Sequence, residues 1–517
     1  MHTYSTPQIT TVKDLSTIAA ESNPDSTAFV DEHRRVTWPE FDSESKRAAN
    51  AFQDHLAQGD RVAFICESSV DHMATMVGAM KAGAIPSNLH LRASPETFRY
   101  CIDTIRPRVI VLDEEYSEFF EERVSEKITT DLSTVVTLGE PRTEYEQSLE
   151  EFVAEQPETE PDVRVQPEDI AAIWWTSGTT GRPKGWCHTN RGITLKAMMS
   201  SSTSDRLSRS LTVLSPGFAA WWGNTISTLL TGQTVVFRRN WDPEEVARLI
   251  EDERITHVGL VTTMWREILE LDRLEKYDLS SLEEIFSTGE KLDKTTVQRL
   301  EKNICERICN GYSSTEIHGT QITNEEMDGD RVESVGKPLL GQRIRIVEED
   351  GDPTDTLDPG EVGEIIIKGP DAPVWAWGDT GKTENAFDDG WWRSGDLGYK
   401  DEDGYLYIEG RSDFMITSKG IKVFPAPVEE RLNAHPDVED AVIVGVSDEE
   451  YGERVTAIVA RSDPSVSSNQ LDEWCLESDK LARFERPRVY EFIDGPINRT
   501  ASGKLDRQSA KEQHIDE

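Results

Sequence analysis

Apolar residues come in short runs separated by turn residues, and their spacing switches repeatedly between the two-residue period of a strand and the ~3.6-residue period of a helix. Arg61–Cys66 is an apolar run of strand length, Val70–Lys81 carries helical spacing, and Gly83–Ile85 turns the chain back. Asp242 followed by Pro243 predicts a helix start running through Glu253, with Asp242 as the cap and Pro243 placed where its missing N–H costs nothing; Thr256–Val261 then follows as a strand. Such alternation predicts an α/β fold whose largely parallel sheets are covered by helices. From about Gly360 the pattern changes to short strands with close turns (Gly363–Lys368, Gly398–Tyr399, Gly404–Glu409), which predicts a small antiparallel or barrel-like subdomain. Helix and strand then alternate again through Val428–Ala434, Ala441–Val446, Val455–Arg461 and Val489–Ile493, enough for a separate smaller α+β domain.

Composition narrows the partners. The chain has 517 residues, 55 Lys+Arg and 97 Asp+Glu, a net charge of −42. It is too long for one core. Its dispersed acidity repels nucleic acid and anionic lipid, and suits a protein that folds in a salt-rich cytoplasm, where screening shortens self-repulsion. Gly139–Glu168 is the densest acidic run and reads as a solvated connection between subdomains. The six cysteines form no CxxC pair and no zinc spacing, so they read as reduced, buried thiols; Cys305 and Cys309, four apart, fit one helix packed in a core. Met1–Leu15 has no secretory pattern, and no run reaches the ~18 apolar residues of an integral membrane segment.

The strongest local signal is Thr176–Gly185 (TSGTTGRPKG), directly after the apolar run Ile170–Trp175. Its glycines let backbone approach an anion, its hydroxyls donate, and Lys184 adds a point charge, so the segment predicts a phosphate cradle. The spacing differs from the P-loop pattern, since no Lys-Ser/Thr pair closes it. A glycine- and threonine-rich surface turn is the competing reading of this loop taken alone.

Further segments follow in order: Ser287–Lys291 (STGEK), Asn310–Glu316 (NGYSSTE), Trp391–Gly398 (WWRSGDLG), Gly410–Ile416 (GRSDFMI) and Asn498–Leu505 (NRTASGKL). With the phosphate loop, they resemble the motifs of the adenylate-forming superfamily of acyl-CoA synthetases, adenylation domains and luciferases, from about Gly59 to Asp506. The resemblance implies a nucleotide site built from Thr176, Ser177, Gly178, Thr179, Thr180, Gly181, Lys184, Gly289, Glu290, Lys291, Asn310, Gly311, Tyr312, Thr315, Asp396, Arg411 and Lys504. Within it Tyr312 would face adenine, Thr315 a phosphate, Asp396 the ribose hydroxyls, and Glu316 with Thr176 a Mg²⁺ ion; Lys504, Thr176, Glu316 and Lys184 would serve the chemistry. Asp413 would be the pivot of a 411–413 hinge between residues 1–410, in subdomains of about 1–165, 166–330 and 331–410, and a mobile lobe over 414–517. Gly420 would border the CoA channel, where Lys419 replaces the family's neighbouring glycine.

Ser215–Gly223 (SPGFAAWWG) occupies the position where many relatives carry an aromatic and then His, and where amino-acid-activating relatives carry Phe-Asp. Here Phe218 is followed by Ala219, which offers nothing to pair with an ammonium group, so an acid without an amino group is expected. Phe218, Ala219, Trp221, Trp222, Ser287, Gly289 and Ser313 are the candidate pocket residues, with core packing the competing reading of the paired tryptophans. Adjacent Cys187 and His188 could suggest a nucleophilic pair, but sequence neighbours rarely face each other and no third group orients them. The expected enzyme is an AMP-forming acyl-CoA synthetase using ATP, Mg²⁺, CoA and a fatty or aromatic acid. A ligase loading carrier-protein pantetheine and a non-catalytic nucleotide-binding protein are the alternatives, and assembly as a homodimer is left open.

Overall fold

The predicted switch between strand and helix periods produces sheets with helical cover. A computed structural model describes residues 11–176, 182–201, 208–289, 292–327, 329–419, 421–448, 451–478, 481–499 and 505–515. The chain divides into two units, Met1–Ile344 with Ile367–Trp392, and Arg345–Ile366 with Arg393–Glu517.

In the first unit, five parallel strands run in the spatial order Ile85–Asn88, Arg61–Ile65, Val109–Asp113, Thr134–Leu138, Glu146–Ser148. Val109–Asp113 is buried at every position, as expected of a parallel strand covered on both faces. The Val70–Lys81 helix has the predicted bounds, and Ser69 caps it by accepting the His72 N–H. A nine-stranded sheet has a parallel centre, Thr27–Val30, Thr234–Phe237, Arg209–Thr212, His257–Val261, Glu284–Thr288 and Ile308–Ser313, with antiparallel strands beyond each end. The Pro243–Asp252 helix starts where Asp242 and Pro243 place it, with the Asp242 carboxylate accepting the Glu245 N–H at 2.9 Å. The second unit holds the antiparallel pairing of residues 396–400, in the Trp391–Lys400 strand, with Leu406–Arg411. Its C-terminal sheet carries Val438–Asp448 against Gly452–Arg461, with Val489–Ile493 parallel to the latter.

Two local expectations are corrected. Cys305 and Cys309 do not share a helix: Lys294–Asn303 ends before them and Cys309 lies in the Ile308–Ser313 strand. The apolar spacing of Ile304, Cys305, Ile308 and Cys309 mixes a helix end with a strand start, and both thiols are buried. The acidic 139–168 run is more than a solvated connection. It includes the Glu146–Ser148 strand, and its Glu160 carboxylate accepts from the fully buried Lys81 ammonium at 3.2 Å, beside Asp42 at 3.1 Å.

Burial lowers the His72 imidazole from 6.5 to about 4, although Asn88 holds its Nε2 at 3.0 Å. The unfolded chain therefore binds this proton below about pH 6.5 and the native chain only near pH 4. This histidine is expected to remove about 3 kcal/mol of stability as pH falls across that window. Denaturant unfolding at stepped pH should show a shallower acid-side decline in His72→Gln than in the parent.

Candidate active site

Strand Ile170–Thr176 pairs antiparallel with Lys184–Thr189, and the register sets Thr176 opposite Lys184. The two ends of the glycine-rich loop therefore meet. Ser177, Gly178, Thr179, Thr180 and Gly181 lie outside the described residues. The base of the hairpin is anchored from the neighbouring sheet: the Trp175 indole donates to Ser87 Oγ at 2.8 Å, and that hydroxyl donates to the Ile173 carbonyl at 3.2 Å.

Two parallel strands bring the next motifs together. Ser287 is level with Asn310 and Thr288 with Gly311, and the Thr288 hydroxyl donates to the Gly311 carbonyl at 3.1 Å. Ser287 is fully buried and pairs with the Thr262 hydroxyl at 2.9 Å. Gly289, Tyr312 and Ser313 follow at the carboxyl ends of these strands, the side where open α/β sheets bind ligands. Glu290 and Lys291 lie outside the described residues. Thr315 and Glu316 sit on a turn held by Ser314, whose Oγ accepts the Glu316 and Ile317 N–H groups, both at 3.2 Å. The chain then returns as His318–Thr323, so close that a Cβ on Gly319 would lie 2.4 Å from the Tyr312 carbonyl. Enclosure pushes the Glu316 carboxyl above its usual range, while its own backbone, Ser314, the Trp186 indole and Lys184 pull it down.

Behind this turn lies a cluster that the motifs do not contain. Asp371 is fully buried, and its Oδ2 accepts the His318 backbone N–H at 3.0 Å and faces His318 Nδ1 at 3.2 Å. Its Oδ1 accepts the Gln342 amide at 2.7 Å, and the Lys196 ammonium stands 3.8 Å away. Burial would raise the Asp371 carboxyl, but His318, Lys196 and Gln342 hold it well below the usual range. Lysine on the otherwise apolar face formed by Ile193 and Ala197 was the available sequence signal.

In the second unit Asp396 and Arg411 are cross-strand partners. Arg411 donates from Nη1 to Asp396 at 3.0 Å and from Nη2 to Asp413 at 3.2 Å. Gly395 has φ +67°, and a Cβ there would lie 2.9 Å from Arg411 Nη2, so the arginine passes over a position only glycine suits. Lys419, at φ +51°, takes the left-handed conformation that glycine favours, with its ammonium 4.2 Å from the Tyr451 ring centre. Gly420 and Lys504 lie outside the described residues.

A family model for AMP-binding enzymes matches residues 17–372, and one for the AMP-binding enzyme C-terminal domain matches residues 427–504. The chain belongs to the AMP-binding enzyme family. It is 29% identical over 500 residues to a 3-hydroxybenzoate–CoA ligase of Aromatoleum sp. (strain CIB), covering 95% of this chain and 94% of the relative. It is also 29% identical over 521 residues to a fatty acid–[acyl-carrier-protein] ligase of Streptomyces coeruleorubidus, covering 98% and 97%. A solved anthranilate CoA ligase in complex with anthranoyl-AMP superposes with a TM-score of 0.88 at 25% identity, covering 99% of this chain and 98% of that one. The adenylate-forming superfamily and the α/β fold expected from the motifs are thereby borne out.

In this AMP-binding enzyme, Phe218 precedes the Ala219–Thr231 helix and meets the His90 ring edge-on at 4.2 Å. Trp221 is fully buried and donates to Ser68 Oγ at 2.8 Å, while Trp222, 2% exposed, meets Trp174 with ring centres 5.2 Å apart. Cys187 and His188 form no nucleophilic pair: burial pushes the thiol up to about 12, and the imidazole stacks on Trp174 at 3.8 Å. Among the described residues no helix is long and apolar enough to cross a membrane, and no group of three or more His, Cys, Asp or Glu could hold a metal.

Proposed function

We propose that this AMP-binding enzyme is an AMP-forming acyl-CoA synthetase acting on a fatty or aromatic carboxylic acid without an amino group. The observation that carries this reading is the Thr176–Lys184 pairing, which draws the ends of the glycine-rich loop together beside a strand and puts a hydroxyl and an ammonium at its mouth. A carboxylate oxygen of the acid attacks the α-phosphorus of ATP and pyrophosphate leaves; the sulfur of CoA then attacks the acyl carbon and AMP leaves. Both steps gather negative charge, so fixed donors and cations lower the barrier. Lys184 and the loop amides would hold phosphate oxygens, Tyr312 would offer an aromatic face to the purine, and Asp396 would accept from the ribose hydroxyls.

Mg²⁺ fits the residues present. Glu316 is a hard oxygen donor whose enclosed carboxyl is pushed above its usual range, and a divalent cation would relieve that cost. Glu316 and the Thr176 hydroxyl would hold the ion, and it would neutralise phosphate charge when bound. Lys504 would serve adenylation, Asp413 would be the pivot before a mobile lobe over 414–517, and Lys419 with Gly420 would border the CoA path. The net charge of −42 supports folding and work in a salt-rich cytoplasm.

The test is direct: purified enzyme, ATP, MgCl₂ and CoA in concentrated KCl, offered short, medium, long and aromatic acids. Pyrophosphate release with acyl-CoA detected by mass spectrometry is the expected result, and no release with any acid would overturn the reading. The carrier-protein ligase among the relatives supports a second acceptor, phosphopantetheine on a carrier protein; acyl-CoA formation at the rate of pyrophosphate release would exclude it. Asp396→Ala is expected to raise the KM for ATP about ten- to hundredfold, the worth of a hydrogen bond to a charged group, with a smaller change for the acid.

A further inference from the structure

The two groups assigned to Mg²⁺ come from different sheets. Thr176 ends one strand of the hairpin opposite Lys184, and Glu316 sits on the turn between two strands of the nine-stranded sheet. An ion shared by two such groups needs them at a fixed spacing, because Mg²⁺ tolerates little error in where its oxygens stand.

The chain around Asp371 joins the two elements, and all of it lies in the first unit. Just after Asp371 the backbone runs along the hairpin: the Val374 N–H donates to the Cys187 carbonyl at 2.9 Å, and the Trp377 N–H donates to the Gly185 carbonyl at 2.8 Å, one residue from Lys184. Trp375 and Ala376 are level with Cys187 and Trp186. The Asp371 side chain reaches the other element. Its Oδ2 accepts the His318 backbone N–H at 3.0 Å and stands 3.2 Å from His318 Nδ1. His318 is where the chain re-enters its strand, two residues past Glu316, and the Ile317 between them is fully buried. The turn is short, with the Ser314 N–H donating to the Ile317 carbonyl at 3.1 Å and Ser314 Oγ accepting the Glu316 and Ile317 N–H groups. A shift at His318 is therefore passed to Glu316.

Asp371 is itself held. Gln342 donates to its other oxygen at 2.7 Å, and a Cβ on Gly369 would lie 1.8 Å from Gln342 Oε1, so the segment entering Asp371 is pressed against that amide. The residue is 0% exposed, so an effect on substrate passes through the groups it holds.

We propose that Asp371 is a positioning residue of the nucleotide site: with its backbone fixed on the hairpin and its carboxylate on the Glu316 turn, it sets the spacing between Thr176 and Glu316 at which metal and triphosphate are held. The proposal rests on the acyl-CoA synthetase reading.

The experiment measures Mn²⁺ retention, by water-proton relaxation, on enzyme saturated with α,β-methylene-ATP, from which pyrophosphate cannot leave. Asp371→Ala should weaken Mn²⁺ binding about ten- to hundredfold and slow pyrophosphate release from ATP by a similar factor, the usual scale for groups that orient a metal ligand. Acyl-CoA formation from preformed acyl-adenylate should stay at the wild-type rate. Asp371→Asn keeps an oxygen for the His318 N–H and should remain close to wild type in every readout. Should Asp371→Ala fold poorly, Asp371→Ala/Lys196→Met also removes the ammonium 3.8 Å from the lost carboxylate and carries the same test. A purely structural role would lower both half-reactions together and leave the Mn²⁺ affinity of the folded protein unchanged. That result, or an Asn variant as impaired as the Ala variant, would overturn the role given to Asp371. Wild-type enzyme that releases no pyrophosphate from any acid would instead sink the reading of the reaction, and the Mn²⁺ comparison would still decide the position of Asp371.

Discussion

Lys504→Ala is expected to slow pyrophosphate release by about two to three orders of magnitude while leaving thioester formation from preformed acyl-adenylate and CoA largely intact. The asymmetry follows from where charge appears. Joining a carboxylate to a phosphate builds negative charge on phosphorus oxygens, and losing one cationic or hydrogen-bond donor there costs about a hundred- to a thousandfold. Thiol attack on the acyl carbon releases AMP and makes a different demand on the protein. Stopped assays of the two half-reactions separate the cases, and equal loss in both would show that Lys504 does not serve the first step alone. Because Lys504 is assigned from its place in the Asn498–Leu505 motif, this measurement bears on the resemblance residue by residue.

Asp371→Ala should cost about 3–5 kcal/mol of stability, the range for removing one partner of a buried pair. The carboxylate is fully buried and serves His318 and Gln342 as well as the Lys196 charge. Its removal deprives the enclosed Lys196 ammonium of the carboxylate 3.8 Å away. Lys196→Met in the same chain should recover part of the loss, because it deletes the stranded charge but cannot restore the His318 and Gln342 bonds. Denaturant unfolding of the parent, both single variants and the double variant gives the coupling directly. Additive losses would mean that the two groups stand too far apart to matter to each other.

The fold was legible where local signals and tertiary packing agree. Val70–Lys81 has its predicted bounds, and the Asp242–Pro243 start is realised by the Asp242 cap. The motifs drew attention to Thr176 and Lys184, but only the hairpin register shows them directly opposite. Cys305 and Cys309 misled because short apolar spacing cannot distinguish a helix from a helix end running into a strand. The Asp371 cluster escaped for another reason. Its members, Lys196, His318, Gln342 and Asp371, are spread over 176 positions of sequence, and none has a local pattern that marks it as buried. Only Lys196, on an apolar helical face, breaks a local rule, and such breaks are where function is most often found.

All six cysteines are buried and unpaired, and desolvation raises each thiol above its ordinary range, Cys187 and Cys309 to about 12. Thiolate is the reactive form, so at neutral pH the native protein presents almost no nucleophilic sulfur of its own. A dye that titrates sulfhydryls would then count the pantetheine substrate alone. The protein should also stand storage in air without forming mixed disulfides with that substrate.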